Sequence, residues 1–204
     1  MKPIKSVTFE WTRADTSLVL NGPQVFHSGK VGPYRPVFGS LEMPPGEGKF
    51  FYEVITNDVA CKLGVCVDDA FPADVDLQQV ELGTISATGA PASRPTAASY
   101  CLFNCLTCVV EMDNVEVKRL WRSFIPVSGA TLGFLVDTDE GTVQLYANGA
   151  YQGAIIDAAS GFKGRKLRPF AALAGIHPCS VVSGGHRSSI SVVPPRVIAR
   201  KAVQ

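Results

Sequence analysis

The sequence predicts an all-β protein, a bent two-layer antiparallel sandwich, and three observations carry that prediction. Side chains alternate with period two through "KFFYEVIT" (49–56) and again through "TLGFLVDTDEGTVQLYANG" (131–149), the repeat expected of strands with covered faces. Turn chemistry is dense, with 19 glycines and 14 prolines punctuating the apolar runs. Amphipathic helical crossovers of roughly 10–15 residues, which would join parallel strands in an α/β protein, are missing.

Taken in order, "SVTFEW" (6–11) alternates as a first short strand, and "TSLVLNG" follows as a second, ending at the turn signal Asn21-Gly22. The run 49–56 places Phe50, Tyr52 and Val54 on one face and Phe51, Glu53 and Ile55 on the other. Apolar groups on both faces mark an inner strand. "CKLGVCVDD" (61–69) is expected as its antiparallel partner, with Cys61, Leu63, Val65 and Val67 on one face and Cys66 opposite.

The stretch 68–99 reads as loops with one or two short strands. "YCLFNCLTCVVEM" (100–112) reads as one strand, and 115–124 as a helix, although Val115 and Val117 weaken it. Leu132, Phe134 and Val136 then face Val143, Leu145 and Ala147 across the turn Asp139-Glu140-Gly141, with Asn148-Gly149 as the next reversal. "YQGAII", "LRPFAALAG" and "CSVVSGG" complete the series of strands.

At 204 residues one core suffices, and residues 1–193 are expected to form a single domain followed by a tail or terminal packing segment, 194–204. A net charge of +1 argues against an extensive nucleic-acid surface, even though "KGRKLR" (163–168) is locally basic. No apolar run approaches the ~20 residues of a membrane span, and the first residues do not resemble a secretory signal. The expectation is an intracellular, cytoplasmic protein. Its six cysteines are then read as core residues rather than as disulfides.

"GEGKFFYEV" (46–54), "KLGVCVD" (62–68), "TLGFLVDTDEGTVQLYANG" (131–149), "YQGAI" (151–155) and "LRPFAALAG" (167–175) together resemble the SPRY (B30.2-like) domain family. Gly48, Lys49, Tyr52, Glu53 and Val54 match the first motif. Gly133, Asp137, Gly141, Tyr146, Asn148, Gly149 and Gly153 match the second, and Pro169 the last. The resemblance covers about residues 45 to 180. It implies a concanavalin-like sandwich that displays loops and binds a protein or peptide without catalysis.

What the resemblance implies for the site is an early loop carrying Tyr34, Arg35 and Pro36, a loop after Val67 carrying Asp69 and Phe71, and a late loop carrying Ile176 and His177, all turned toward one concave surface. Aromatic and arginine side chains suit such a role because they combine area with directed polar contacts. The expected partner is a protein or short peptide; a scaffold subunit of a larger complex and a carbohydrate-binding sandwich remain the alternatives.

Competing chemistry has weaker support. Asp137, Asp139 and Glu140 lack the ligand spacing of a calcium loop, and Asp137 and Asn148 read as turn caps. Cys101, Cys105 and Cys108, even with Cys61, Cys66, Cys179 or His177, lack paired zinc knuckles. His27, His177 and His186 accompany no nucleophile elbow. No catalytic residue, metal or cofactor is therefore expected.

Overall fold

The alternation along 49–56 is the seam on which the molecule is built. A computed structural model describes residues 2–27, 32–58, 60, 61–80, 82–83, 98–120, 129–175 and 189–196. Along the chain run β1 (Ile4–Ser6), β2 (Trp11–Ala14), β3 (Leu18–Asn21), β4 (Gln24–His27), β5 (Arg35–Gly39), β6 (Lys49–Thr56), β7 (Cys61–Val67) and β8 (Tyr100–Asn104). There follow β9 (Val109–Met112), β10 (Val115–Arg119), β11 (Thr131–Asp137), β12 (Thr142–Ala147), β13 (Ala150–Ile156), β14 (Leu167–Leu173) and β15 (Ser189–Val193). One sheet has the order β13-β12-β11-β6-β15-β4-β3, with β1 added in parallel to β6; the other has the order β10-β9-β8-β7-β14-β5-β2. The fold is the expected β-sandwich. Among the described residues no helix is long and apolar enough to cross a membrane.

Inward-facing Tyr52, Val54, Leu132, Phe134 and Leu145 of the first sheet meet Val37, Leu63, Val65, Phe103 and Leu173 of the second. Each such side chain contributes about 1.5–3 kcal/mol by leaving water. Tyr52 stacks on Phe134 with ring centroids 5.3 Å apart, and its hydroxyl crosses the core to donate to the Gly64 carbonyl at 2.9 Å. Burial holds that phenol well above its ordinary pKa, so it stays a donor.

Four local expectations are corrected. The strand read over 6–11 is divided: β1 ends at Ser6 and β2 begins at Trp11, with Phe9 between them packed edge-on against Trp11. β7 is not the partner of β6; it pairs with β8 and β14 in the opposite sheet, so the chain changes layer between Thr56 and Cys61. The single strand 100–112 is a hairpin, β8 and β9, whose turn includes Cys108 at φ +57°.

Of the helix read over 115–124, residues Val115–Arg119 form β10 instead, and 121–124 lie outside the described residues. Asp113 and Asn114, at φ +48° and +64°, make a tight reversal that returns β-branched Val115 and Val117 along β9. The run 179–185 lies outside the described residues, and the strand that completes the first sheet is β15, where Ile190 and Val192 face the core.

The outer face of the second sheet is covered by residues within 71–80 and by Leu82. Phe71, Val75, Leu77, Val80 and Leu82 pack on Phe38, Cys66, Tyr100, Leu102 and Phe170. Three cations hold this strap by its carbonyls. Arg13 donates to Phe71, Pro72 and Val75 at 2.7, 2.7 and 3.2 Å, Arg35 to Gln78 at 2.6 Å, and Lys62 to Leu82 at 2.7 Å.

Candidate functional site

β5, β7 and β14 run side by side, and their register fixes which residues share an end of the sandwich. Leu173 lies opposite both Arg35 and Cys61. At this end also lie the end of β6 (Thr56), the start of β11 (Thr131), the turn Asn148-Gly149, and the meeting of Leu18 with His27. The Asn148 side chain accepts from the Thr131 N–H at 3.0 Å and closes that turn, as expected of a cap. The described residues that flank 28–31, 121–128 and 176–188 belong to this same end.

Tyr34, Arg35 and Pro36 do not form a loop. Arg35 and Pro36 begin β5, Tyr34 is wholly buried, and Pro36 is buried with it, so Arg35 alone of the three reaches the surface. Ile176 and His177 lie outside the described residues; β14 ends at Leu173, and Ala174 and Gly175 lead to them from the Arg35 end.

Asp69 and Phe71 are not on this surface. Asp69 follows β7 at the opposite end, separated from Cys61 by about 20 Å of extended strand. The half-buried Phe71 ring packs on Phe38 and Phe170, with centroids 5.4 Å away in each case. The single concave surface expected from all three groups is therefore divided, because the strap turns back over the sheet after Asp69.

Two polar side chains passed over as site residues sit beside Arg35. Asp15, in the β2–β3 turn, accepts from the Ser17 N–H and hydroxyl at 2.7 and 2.5 Å. His27 is buried at the end of β4. The Ser17 hydroxyl donates directly to the Asp15 carboxylate two residues away, a local turn contact. The buried hydroxyls of Tyr34, Thr56 and Thr107, all at or near this end, have no hydrogen-bond partner among the described residues, although such groups are ordinarily satisfied.

Desolvation lowers the pKa of His27, Asp15 raises it and Arg35 lowers it, leaving it below the usual 6.5. The unfolded chain then takes up this proton at a higher pH than the folded chain does. Stability consequently falls as the pH drops through about 6.5. His27→Asn is expected to remove that part of the loss. Melting temperatures recorded across the range from neutral to mildly acidic should fall less steeply for the variant than for the wild type, and parallel slopes would exclude the assignment.

At the opposite end the basic block 163–168 is matched by acids. Lys166 pairs with Asp68 at 2.5 Å and Glu42 at 3.3 Å, Arg168 with Asp68 and Glu42, and Arg165 lies 3.9 Å from Asp69. Val67, Asp68, Asp69, Gly164, Arg165 and Lys166 line a cleft of about 260 Å³ there. In the neighbouring turn Asp137, Asp139 and Glu140 face Lys49, Lys2 and Lys163 at 3.3, 3.1 and 3.2 Å. Asp137 also caps the N–H groups of Asp139 and Glu140. These carboxylates serve lysines and backbone.

The thiols of Cys61 and Cys105 share a hydrogen bond and are buried, and burial also pushes up the Cys66 thiol. Protonated buried thiols suit a core better than a metal site.

Neither a protein-family model nor a curated protein sequence matches the chain. Solved structures do. The SPRY domain of human HERC1 matches with a TM-score of 0.55 and 12% identity over 91% of this chain and 97% of that one. The TRIM65 PSpry domain matches at 0.58 and 16% over 93% of both chains. Stonustoxin matches at 0.60 and 14% over 93% of this chain and 27% of its own. At these identities the likeness carries the fold, and the fold is that of a SPRY domain.

Proposed function

We propose that the protein is a non-catalytic interaction module that takes a protein or short peptide at the Arg35 end of the sandwich. The observation that supports this reading most directly is the convergence at one end of Arg35, the Leu173–Gly175 exit toward Ile176 and His177, and buried hydroxyls without partners. A rigid double layer holds the strand ends in place, while the connections between them can vary without disturbing the sheets. Arg35 would offer a planar set of donors, and His177 a second polar contact beside Ile176. A mismatched partner would have its own polar groups left unpaired, which is how such a surface discriminates.

Asp69, at the far end, is proposed as a separate contact with a larger partner, and Phe71 as its packed neighbour. Affinity capture from cell extract, read by mass spectrometry, tests the main surface. Arg35→Ala combined with His177→Ala is expected to lose the specific partner while the melting temperature changes by no more than a few degrees. A folded double variant that captures the same partner in full would reject this surface.

A further inference from the structure

The outer face of the eight-stranded sheet poses a burial problem. Phe51, Glu53, Leu135 and Tyr146 point away from the sandwich core, yet they are 2%, 1%, 5% and 4% exposed. Phe51 and Tyr146 meet edge to face at 5.8 Å, and Phe51 lies over Gly133, where a Cβ would come within 2.8 Å of the ring. Mutual packing of three side chains on an open sheet leaves their upper surfaces in water. Something lies over them. The cover is local, because Tyr151, opposite Tyr146 on the next strand, is 55% exposed.

The chain arrives at this patch after β15. Beyond Pro194-Pro195, Arg196 donates its N–H to Glu53 Oε2 at 2.7 Å. Glu53 lies opposite Gly133, and Gly133 opposite Tyr146, so two strand spacings, about 10 Å, separate the arrival point from Tyr146. Three extended residues span that distance at about 3.3 Å each. The next three residues are Val197, Ile198 and Ala199, all apolar, and Arg200 and Lys201 follow. The apolar run thus has the length of the covered patch, and two charged residues follow it in the chain.

We propose that this face is the docking surface of the chain's own C-terminal segment, with residues 197–199 covering Phe51, Leu135 and Tyr146 and with Glu53 as the hydrogen-bonded anchor. The outer sheet face is then self-occupied and closed to other partners.

Isotope-filtered nuclear Overhauser spectroscopy on the full chain tests this directly. Methyl groups of Val197, Ile198 or Ala199 are expected to show intramolecular contacts to the ring protons of Phe51 or Tyr146. Absence of such contacts, or contacts seen only between differently labelled molecules, would overturn the proposal, the latter in favour of a second copy. A chemical readout is independent of that one. In Ile198→Asp, nitration of Tyr146 relative to the exposed Tyr151 is expected to rise several-fold over wild type, and an unchanged ratio overturns the proposal.

Discussion

Gly64→Ala is expected to leave the chain without a cooperative thermal transition. A Cβ on Gly64 would lie 2.1 Å from the carbonyl oxygen of Cys101 and 3.1 Å from the Leu102 Cα, both main-chain atoms of the adjacent β8. A flexible side chain could turn aside, but a strand paired along its whole length cannot. β7 and β8 would have to separate at the centre of the sheet, where the Gly64 carbonyl also receives the Tyr52 hydroxyl. The cost should exceed the ~1–3 kcal/mol of ordinary overpacking and approach the whole stability of a domain, about 5–15 kcal/mol. Calorimetry on the purified variant decides it; cooperative melting within a few degrees of wild type would sink the prediction.

Lys62→Ala should cost about 3–5 kcal/mol, the range for breaking one side of a buried ion pair. Lys62 is only 3% exposed, and its ammonium meets Glu111 at 2.5 Å, the Leu82 carbonyl at 2.7 Å, and the face of Tyr34 at 4.5 Å from the ring centroid. Desolvation lowers its pKa even though Glu111 opposes the shift. Truncation strands the Glu111 carboxylate, which keeps only Asn104 Nδ2 at 2.9 Å among these partners, and frees the Leu82 carbonyl. Replacing both charges, as Lys62→Met with Glu111→Leu, is expected to recover most of the loss, because two apolar groups leave no stranded charge. Urea unfolding of the wild type, the single variant and the double variant measures the difference; equal destabilisation by both variants would contradict this account.

Most of the sandwich was legible because its central strands are long enough for alternation to be seen. β6 has the bounds expected from 49–56, and the β11–β12 hairpin turns where Gly141 permits φ +68°. Shorter elements were not. In β15 only Ile190 and Val192 face the core, too few for a period to stand out beside Pro194-Pro195. The start of the helix expected over 115–124 was misread, because Asp113-Asn114 carries positive φ without a glycine and turns 115–119 back as a strand. Pairing between β6 and β7 was misread because a chain that changes sheet leaves the same local pattern as one that turns a hairpin.

The site was less legible than the fold. Residue type nominated Tyr34 and Phe71, and packing placed both in the cluster between the second sheet and its strap. Arg13 and Lys62, which fasten the strap, interact through backbone carbonyls far along the chain, and carbonyls carry no sequence signature. Lys62 within the apolar run "CKLGVCV" was nevertheless a visible anomaly. Asp15 and His27 come together because the turn after β2 leads into Leu18, which pairs with His27.

The position of β15 also sets an order of events during biosynthesis. The early β3–β4 hairpin joins the remainder of its sheet through β15, which is the last described strand to leave the ribosome. Until then β4 and much of β6 present unpaired edges, and closing them requires a contact spanning more than a hundred residues. A nascent chain would therefore carry exposed strand edges for most of its translation, the condition under which strands from neighbouring chains pair wrongly.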